Sequence, residues 1–394
     1  MNHSVFVFGC ARSGTTAIAN SLRKAGYAGV AGEGHLVSLI HSLRHTVRHY
    51  REAKQRASAQ DVISAFAWDM LQATLDDHFR SFYSTLYGGA CFVDKTPYNA
   101  MPYPIEDIRR IWPDARIIHC QRNGIDNVNS QLRKFLKQGF GFDRACINWA
   151  DAAKAWDSVV ESAKDITYSV EHQFLLREPQ TCGHEMAAFL GLDADESQRL
   201  IDALTHDFPE NTGASATTVE WTAEERRFFV EICGPWMQRL GYDLCGPFAA
   251  STASTAVVLS SPALLESASV NSKNPALFAV EKNQMTIHPP TPGKETKVVF
   301  PVVSARGCRK FIARVLVRNP LAEKVRFFVE FRPSHKPVDA IRHSIDVTPG
   351  ETLPWVVPLP EACDTLEVML STTMAPGAAS NLYAWATLEL PRLV

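Results

Sequence analysis

Hydrophobic residues recur with two different periods along this chain, and the period changes after Pro247. Before that point, short uninterrupted apolar runs alternate with stretches where apolar residues return every three or four positions. That is the pattern of buried parallel strands and amphipathic helices. Residues 5–8 (VFVF), 90–93 and 115–121 (ARIIHCQ) read as strands. Residues 36–56, 61–87, 105–111 and 125–137 read as helices. After Pro247 the composition shifts to an Ala/Ser/Thr-rich stretch with little periodicity, and beyond it the period becomes two. Val325, Phe327, Val329 and Phe331 alternate with Arg326, Phe328, Glu330 and Arg332, and Ala313, Val315 and Val317 alternate with Arg314, Leu316 and Arg318. Turn signals at Pro292-Gly293, Asn319-Pro320, Pro349-Gly350 and Pro376-Gly377 separate these runs.

The first strand leads directly into the most informative stretch, residues 5–22, VFVFGCARSGTTAIANSL. Gly9 ends the strand, and Ile18 and Leu22 restart the pattern at helical spacing. A helix N-terminus offers free N–H groups and about half a positive charge, so it attracts an anion before any side chain is counted. GCARSGTT keeps the two glycines of the phosphate-binding pattern GxxxxGK[ST], Gly9 and Gly14, but carries Thr15 in the lysine position. The missing lysine and the strand end Gln121-Arg122, where an aspartate would hold magnesium, both argue against a magnesium triphosphate. Arg12 inside the loop offers a rigid fork for tetrahedral oxygens. The fold expected is a P-loop-like three-layer α/β/α domain with a parallel sheet over residues 1–248. An Ala/Ser/Thr-rich linker follows over 249–275, and an all-β sandwich of about eight strands over 276–394.

Further candidate residues cluster around that loop in the sequence. Glu33 lies among Gly29, Gly32 and Gly34, a tight polar turn that makes it a candidate general base, with His35 as the alternative. Lys95, in Asp94-Lys95-Thr96-Pro97, sits at the end of a strand, where α/β sheets bind their ligands. Arg122, Ser130 eight residues on, and Arg133-Lys134 a turn later form a second basic, hydroxyl-bearing cluster. Two separate phosphate sites suit a nucleotide phosphorylated at both ends. His41, His45 and His49 repeat at helical spacing among Arg44, Arg48, Arg51, Lys54 and Arg56. Without HExxH or a neighbouring carboxylate they read as a solvated basic face rather than a zinc site.

Composition narrows the setting. A 394-residue chain with 46% hydrophobic residues suits two globular domains, and a net charge of −2 selects no partner class. Nine cysteines without a CxxC pair indicate reduced, mostly buried thiols, Cys10 in the loop included. With no secretory leader pattern and no run of eighteen apolar residues, a cytoplasmic protein without a membrane span or nucleic-acid partner is expected.

These motifs resemble those of sulfotransferases that use 3′-phosphoadenosine 5′-phosphosulfate. GCARSGTT resembles their 5′-phosphosulfate loop, and RNGIDNVNS, with Arg122 and Ser130, resembles their 3′-phosphate motif. DKTP at 94–97 matches a pattern of the bacterial and Golgi branches, residues 166–175 and Phe189-Leu190-Gly191-Leu192 resemble RYEDL and FLGL, and residues 221–242 resemble the closing helix. The resemblance spans about residues 4–244. It departs at Asn123-Gly124, where the family has Asp-Pro, and at Ser169-Val170, inside the Tyr-Glu pair. Arginine in the loop followed by a glycine-flanked glutamate is similar to the tyrosylprotein and bacterial branch, where glutamate is the base. The resemblance therefore implies Glu33 as base and Arg12 and Lys95 at the transferred group. Gly9, Arg12, Ser13, Gly14, Thr15 and Thr16 would hold the 5′ end, Arg122, Ser130 and Lys134 the 3′-phosphate, and Tyr168 the nucleotide, without a metal.

The implied activity is transfer of a sulfuryl group to an acceptor hydroxyl, a saccharide being favoured. A small-molecule kinase and a non-catalytic nucleotide-sensing, glycan-binding protein are the alternatives, and a homo-oligomer is compatible with either. In the sandwich, Trp355, Tyr383 and Trp385 are read as core aromatics, with sugar stacking as the other reading.

Overall fold

The computed structural model describes residues 3–30, 32–57, 62–97, 99, 101–135, 140–206, 221–242, 244, 256–271, 277–281, 284–319, 321–333, 340–360, 364–381 and 384–394. The chain divides into two compact units, Met1–Ala249 and Ala250–Val394.

In the first unit, strand β1 (Val5–Gly9) is followed by helices α1 (Thr15–Ala25), α2 (Leu36–Ala57), α3 (Val62–Ala65) and α4 (Trp68–Leu86). Strand β2 (Val93–Lys95), α5 (Ile105–Ile111), β3 (Arg116–Gln121), α6 (Gly124–Phe135), α7 (Phe142–Asp157) and α8 (Val160–Ala163) come next. Strand β4 (Thr167–Glu171), α9 (His172–Arg177), α10 (Pro179–Leu190), α11 (Ala194–His206) and α12 (Ala223–Arg239) complete it. The four strands form a parallel sheet in the order β2-β1-β3-β4. The unbroken apolar run of β1 reflects burial on both faces: Val5 and Val7 pack with Ile18 and Leu22 of α1 and with α10 and α11, while Phe6 and Phe8 pack with α2, α4 and α5. The result is the expected three-layer α/β/α arrangement.

Register brings one sheet edge to a common level. Val7 pairs with Lys95, Gly9 with Cys120, and Gln121 with Glu171, so Gly9, Lys95, Gln121 and Glu171 end their strands on the same side. Three local expectations change. The strand expected at 90–93 is Val93–Lys95, so Asp94 and Lys95 lie within it. The helix expected at 61–87 is two helices, α3 and α4, and Asp61 lies outside the described residues. The helix expected to reach Lys137 is Gly124–Phe135, with residues 136–139 outside those described.

The basic face of α2 is also not what the spacing suggested. Arg44 is buried and ion-paired with Asp76 of α4 and Asp107 of α5. Arg110 joins the same two carboxylates at 2.6 and 2.8 Å, and His41 Nδ1 lies 2.9 Å from Asp107. These cations tie three helices together because their partners come from segments distant in sequence. His45, Arg48 and His49 remain exposed.

The second unit is a two-sheet antiparallel sandwich. Its elements are β5 (Val257–Val258), α13 (Pro262–Ser267), β6 (Ser269–Val270), β7 (Phe278–Glu281), β8 (Gln284–Ile287), β9 (Thr296–Ser304), β10 (Lys310–Val317), β11 (Val325–Pro333), β12 (Ile341–Val347), β13 (Thr352–Pro358), β14 (Thr365–Met374) and β15 (Ala386–Leu393). One sheet runs β13-β10-β15-β8-β7, with β5 also on β15, and the other runs β12-β11-β14-β9-β6. About eight strands were expected; the additional short ones, β5 to β8, have four residues or fewer, too few to display an alternation. Residues 256–271, inside the stretch expected to be a linker, belong to this sandwich. Val257 and Val258 pair with β15, and Ser269 and Val270 with β9. The rest of that stretch, 249–255 and 272–275, lies outside the described residues. On β11 the alternation holds: Val325, Phe327, Val329 and Phe331 are fully buried, while Arg326 reaches out to Asp346. Trp355 is buried edge-on to Phe311, Trp385 is exposed, and Tyr383 lies outside the described residues.

Candidate active site

The loop between β1 and α1 owes its shape to two glycines and one serine. A Cβ on Gly9 would sit 2.5 Å from the Cys120 carbonyl, so only glycine permits the turn away from β3. Ser13 closes the loop, its N–H and Oγ both donating to the Cys10 carbonyl at 3.1 and 2.6 Å. Gly14, at φ 98°, precedes α1 without a side-chain cap, which leaves the N–H groups of the first turn to a ligand. The Ser13 hydroxyl is thus spent on the loop itself. Cys10 is buried behind it, and burial pushes its thiol far up, as for a packing residue.

On one side of the loop, the residues expected at two separate phosphates meet. Arg12 Nε donates to Ser130 Oγ at 3.2 Å, and Arg122 donates to the Arg12 carbonyl at 2.9 Å. Arg122 is buried with its Nε unpartnered among the described residues. Burial lowers its pKa, with Arg12 and Arg133 in the same direction and Asp126 and Glu171 opposed. Of the basic residues in the last α6 turn, Arg133 acts on Arg122, and Arg133 and Lys134 are both exposed. Tyr168 donates its hydroxyl to Glu185 of α10 at 2.7 Å and packs against Phe189, so this side chain is engaged in the helical layer.

Three residues that sequence reasoning passed over shape this cluster. Asn127 donates to the Ala11 carbonyl at 3.1 Å and accepts from Gln131 at 2.7 Å, bracing the loop from α6. Their i, i+4 spacing on the face that carries Ser130 was the available signal. His172, at the C-terminal end of β4, lies against the loop, with Cδ2 3.3 Å from where a Gly14 Cβ would be. Burial lowers its pKa to about 4, helped by Arg122 and Arg12 and opposed by Asp126. The strand-end rule that singled out Lys95 applies equally to His172.

On the other side, the Asp94-Lys95-Thr96 segment builds the turn that holds Glu33. Gly34 N–H donates to the Lys95 carbonyl at 3.0 Å and His35 N–H to Thr96 Oγ1 at 2.8 Å. Gly34 passes so close to Asp94 that a Cβ would lie 2.2 Å from Oδ1. Asp94 is fixed by the Tyr83 hydroxyl at 2.8 Å, and burial raises its pKa. Lys95, itself buried, reaches Thr16 Oγ1 at 3.3 Å and Glu33 Oε1 at 3.5 Å. Glu33 Oε2 lies 3.2 Å from His35 Nε2, and both side chains are solvent-accessible. Glu33, His35, Lys95 and Thr16 thus form one connected group beside the start of α1. Among the described residues no cluster of three or more His, Cys, Asp or Glu is placed to hold a metal ion.

A parallel sheet whose first strand turns through a glycine loop into an uncapped helix, with guanidinium groups on one side and an ammonium–carboxylate pair on the other, defines a P-loop-like α/β domain with an anion-facing edge. Residues 4–196, within the first unit, match the sulfotransferase family. Compared with curated proteins by sequence, the chain has no match. Among solved structures it is similar to the sulfotransferase domain of the Synechococcus PCC 7002 olefin synthase, at 16% identity and a TM-score of 0.42, over 62% of this chain and 96% of that one. It is also similar to a mouse sulfotransferase complexed with PAP, at 13% identity and a TM-score of 0.37, over 60% of this chain and 86% of that one. A third similarity is to CBM51 from Clostridium perfringens GH95 in complex with methyl-galactose, at 14% identity and a TM-score of 0.22, over 36% of this chain and 100% of that one.

Proposed function

We propose that the first unit transfers a sulfuryl group from 3′-phosphoadenosine 5′-phosphosulfate to an acceptor hydroxyl. The observation that carries this reading is the pair of polar groups flanking one uncapped helix start: Glu33–Lys95–Thr16 on one side and Arg12–Ser130–Arg122 on the other. The buried, unpartnered Nε of Arg122 fits an anion that would complete its hydrogen bonds. In this reading Arg122 and Ser130 hold the 3′-phosphate, with Lys134 and Arg133 of the last α6 turn as the supporting cations. The N–H groups after Gly14 and the Thr16 hydroxyl hold the 5′ end.

Sulfuryl transfer, like phosphoryl transfer, depends on positioning and charge stabilisation. The acceptor oxygen forms the new bond to sulfur as its proton passes to Glu33. The bond from sulfur to the bridging oxygen breaks, and its electron pair leaves with adenosine 3′,5′-bisphosphate. Lys95 and Arg12 stabilise the charge that builds on that oxygen and on the sulfuryl group. Thr15 in the lysine position and the strand end Gln121-Arg122 support a donor bound without magnesium. The favoured acceptor is a saccharide hydroxyl, for which the exposed indole of Trp385 and the exposed Arg48 and His49 are the supporting features. The free thiols of all seven described cysteines support a reducing, cytoplasmic setting.

The test is melting with adenosine 3′,5′-bisphosphate against magnesium ATP, followed by transfer of labelled sulfate to an acceptor panel. At a hundred times its dissociation constant the bisphosphate should add about 2.7 kcal/mol. Stabilisation by magnesium ATP alone would replace this reading with a kinase.

A further inference from the structure

We propose that His172 is a ligand of the donor's 3′-phosphate and takes up a proton when that phosphate binds. The inference rests on the donor assignment above and adds to it a residue that neither the motifs nor the family resemblance singled out.

His172 is the first residue of α9, where β4 ends beside the loop. Its ring lies against Gly14, the residue that opens α1, and is almost wholly buried. The charged groups that act on it are Arg122 at the end of β3, Asp126 of α6 and Arg12 of the loop. Asp126 already accepts a hydrogen bond from Gln173 at 3.0 Å, and the adjacent Glu171 caps α9 by accepting from Phe174 N–H at 2.8 Å. Burial first, and then Arg122 and Arg12 against Asp126, keep the imidazole neutral, its pKa lowered to about 4.

A phosphate dianion bound between Arg12 and Arg122 reverses that balance. Its two negative charges offset both guanidiniums and reward a proton on the ring, which then donates a charge-assisted hydrogen bond. An opposite charge at this range raises a histidine pKa by about one to three pH units. Above the bound-state pKa no proton is gained, and between that value and about 4 each donor molecule bound brings a proton with it. Affinity for the bisphosphate is therefore strengthened by His172 as the pH falls through this window. A histidine that merely fills space beside Gly14 has no such linkage.

The experiment uses the full chain and adenosine 3′,5′-bisphosphate. Calorimetric titration at pH 5.5, in two buffers of different ionisation enthalpy, should show more protons taken up by the wild type than by His172→Gln. The affinity ratio of wild type to variant, whatever its value at pH 8, should grow at pH 5.5 by about fourfold for a two-unit rise. The ligand's own phosphate ionisation is common to both proteins and cancels in that ratio. NMR titration of the wild-type His172 ring, free and bisphosphate-bound, gives the same answer without a variant and should show the pKa rising on binding. Binding with equal proton uptake, a constant ratio and an unmoved ring pKa overturns the proposal while leaving the donor assignment intact. Absence of any bisphosphate binding by the wild type overturns both.

Discussion

Replacing Gly34 by alanine should disable the Glu33 turn while leaving the phosphate loop in place. The added Cβ would lie 2.2 and 2.6 Å from the two carboxylate oxygens of Asp94 and 2.7 Å from its Cγ, where an ordinary contact begins at 3.4 Å. One side must therefore retreat by about 1 Å, an overpacking that costs about 1–3 kcal/mol. Asp94 is buried and tied to the Tyr83 hydroxyl at 2.8 Å, so the turn moves instead, carrying Glu33 with it. For a unit of this size the loss lowers Tm by about 3–10 °C. A catalytic group displaced by about 1 Å costs on the order of 10² in turnover. Gly32 supplies the control, since a Cβ there meets nothing within 4 Å and Gly32→Ala should be silent. In an Asp94→Ala background the carboxylate is gone, so Gly34→Ala should cost at least about 1 kcal/mol less than in the wild type, the coupling expected of touching residues. Thermal melting of the four single and double variants, with turnover on an accepted acceptor, tests this. A Gly34→Ala protein that melts within about 1 °C of Gly32→Ala and turns over equally would refute the reasoning.

Four further outcomes are expected. Glu33→Gln should lower turnover by about 10²–10⁴-fold, and Lys95→Ala by about 10²–10³-fold, with bisphosphate affinity in Glu33→Gln close to wild type; if His35→Ala is the more damaging change in a steady-state assay, the base is misassigned. Arg44→Ala removes the buried partner of Asp76 and Asp107 and leaves them Arg110, so it should cost about 1–3 kcal/mol in a denaturation experiment, a cost under about 0.5 kcal/mol refuting a structural role for Arg44 in the network. His119 is buried face-to-face on Trp156 at 3.9 Å, and burial lowers its pKa to about 3. The unfolded chain protonates it near pH 6.5 and the folded chain does not, so acid favours unfolding throughout that window. His119→Phe should therefore gain on the wild type by about 1.4 kcal/mol per pH unit below 6.5, and parallel stability curves would exclude this linkage.

Much of the candidate site could be proposed from sequence because its residues are local. Gly9, Arg12 and Gly14 lie within one loop, and the four-residue run of β1 could only be a strand buried on both faces. The period-two pattern identified the sandwich, although it passed over strands of four residues or fewer. Elements defined by partners distant in the chain were not legible. The α2 cations read as a solvated face because nothing near them in sequence announces Asp76 or Asp107. Lys134 and Tyr168 were placed by motif spacing; the structure adds that Arg133 acts electrostatically on Arg122 and that the Tyr168 hydroxyl donates to Glu185. Short-range order in the chain thus determined the strand–loop–helix and the kinds of residue around it. Tertiary structure alone decided that Arg12 meets Ser130, that Asp94 shapes the Glu33 turn and that His172 closes on Gly14. Those contacts come from the parallel register of β1 to β4, which sets four strand ends at one edge, a relation that no local periodicity encodes.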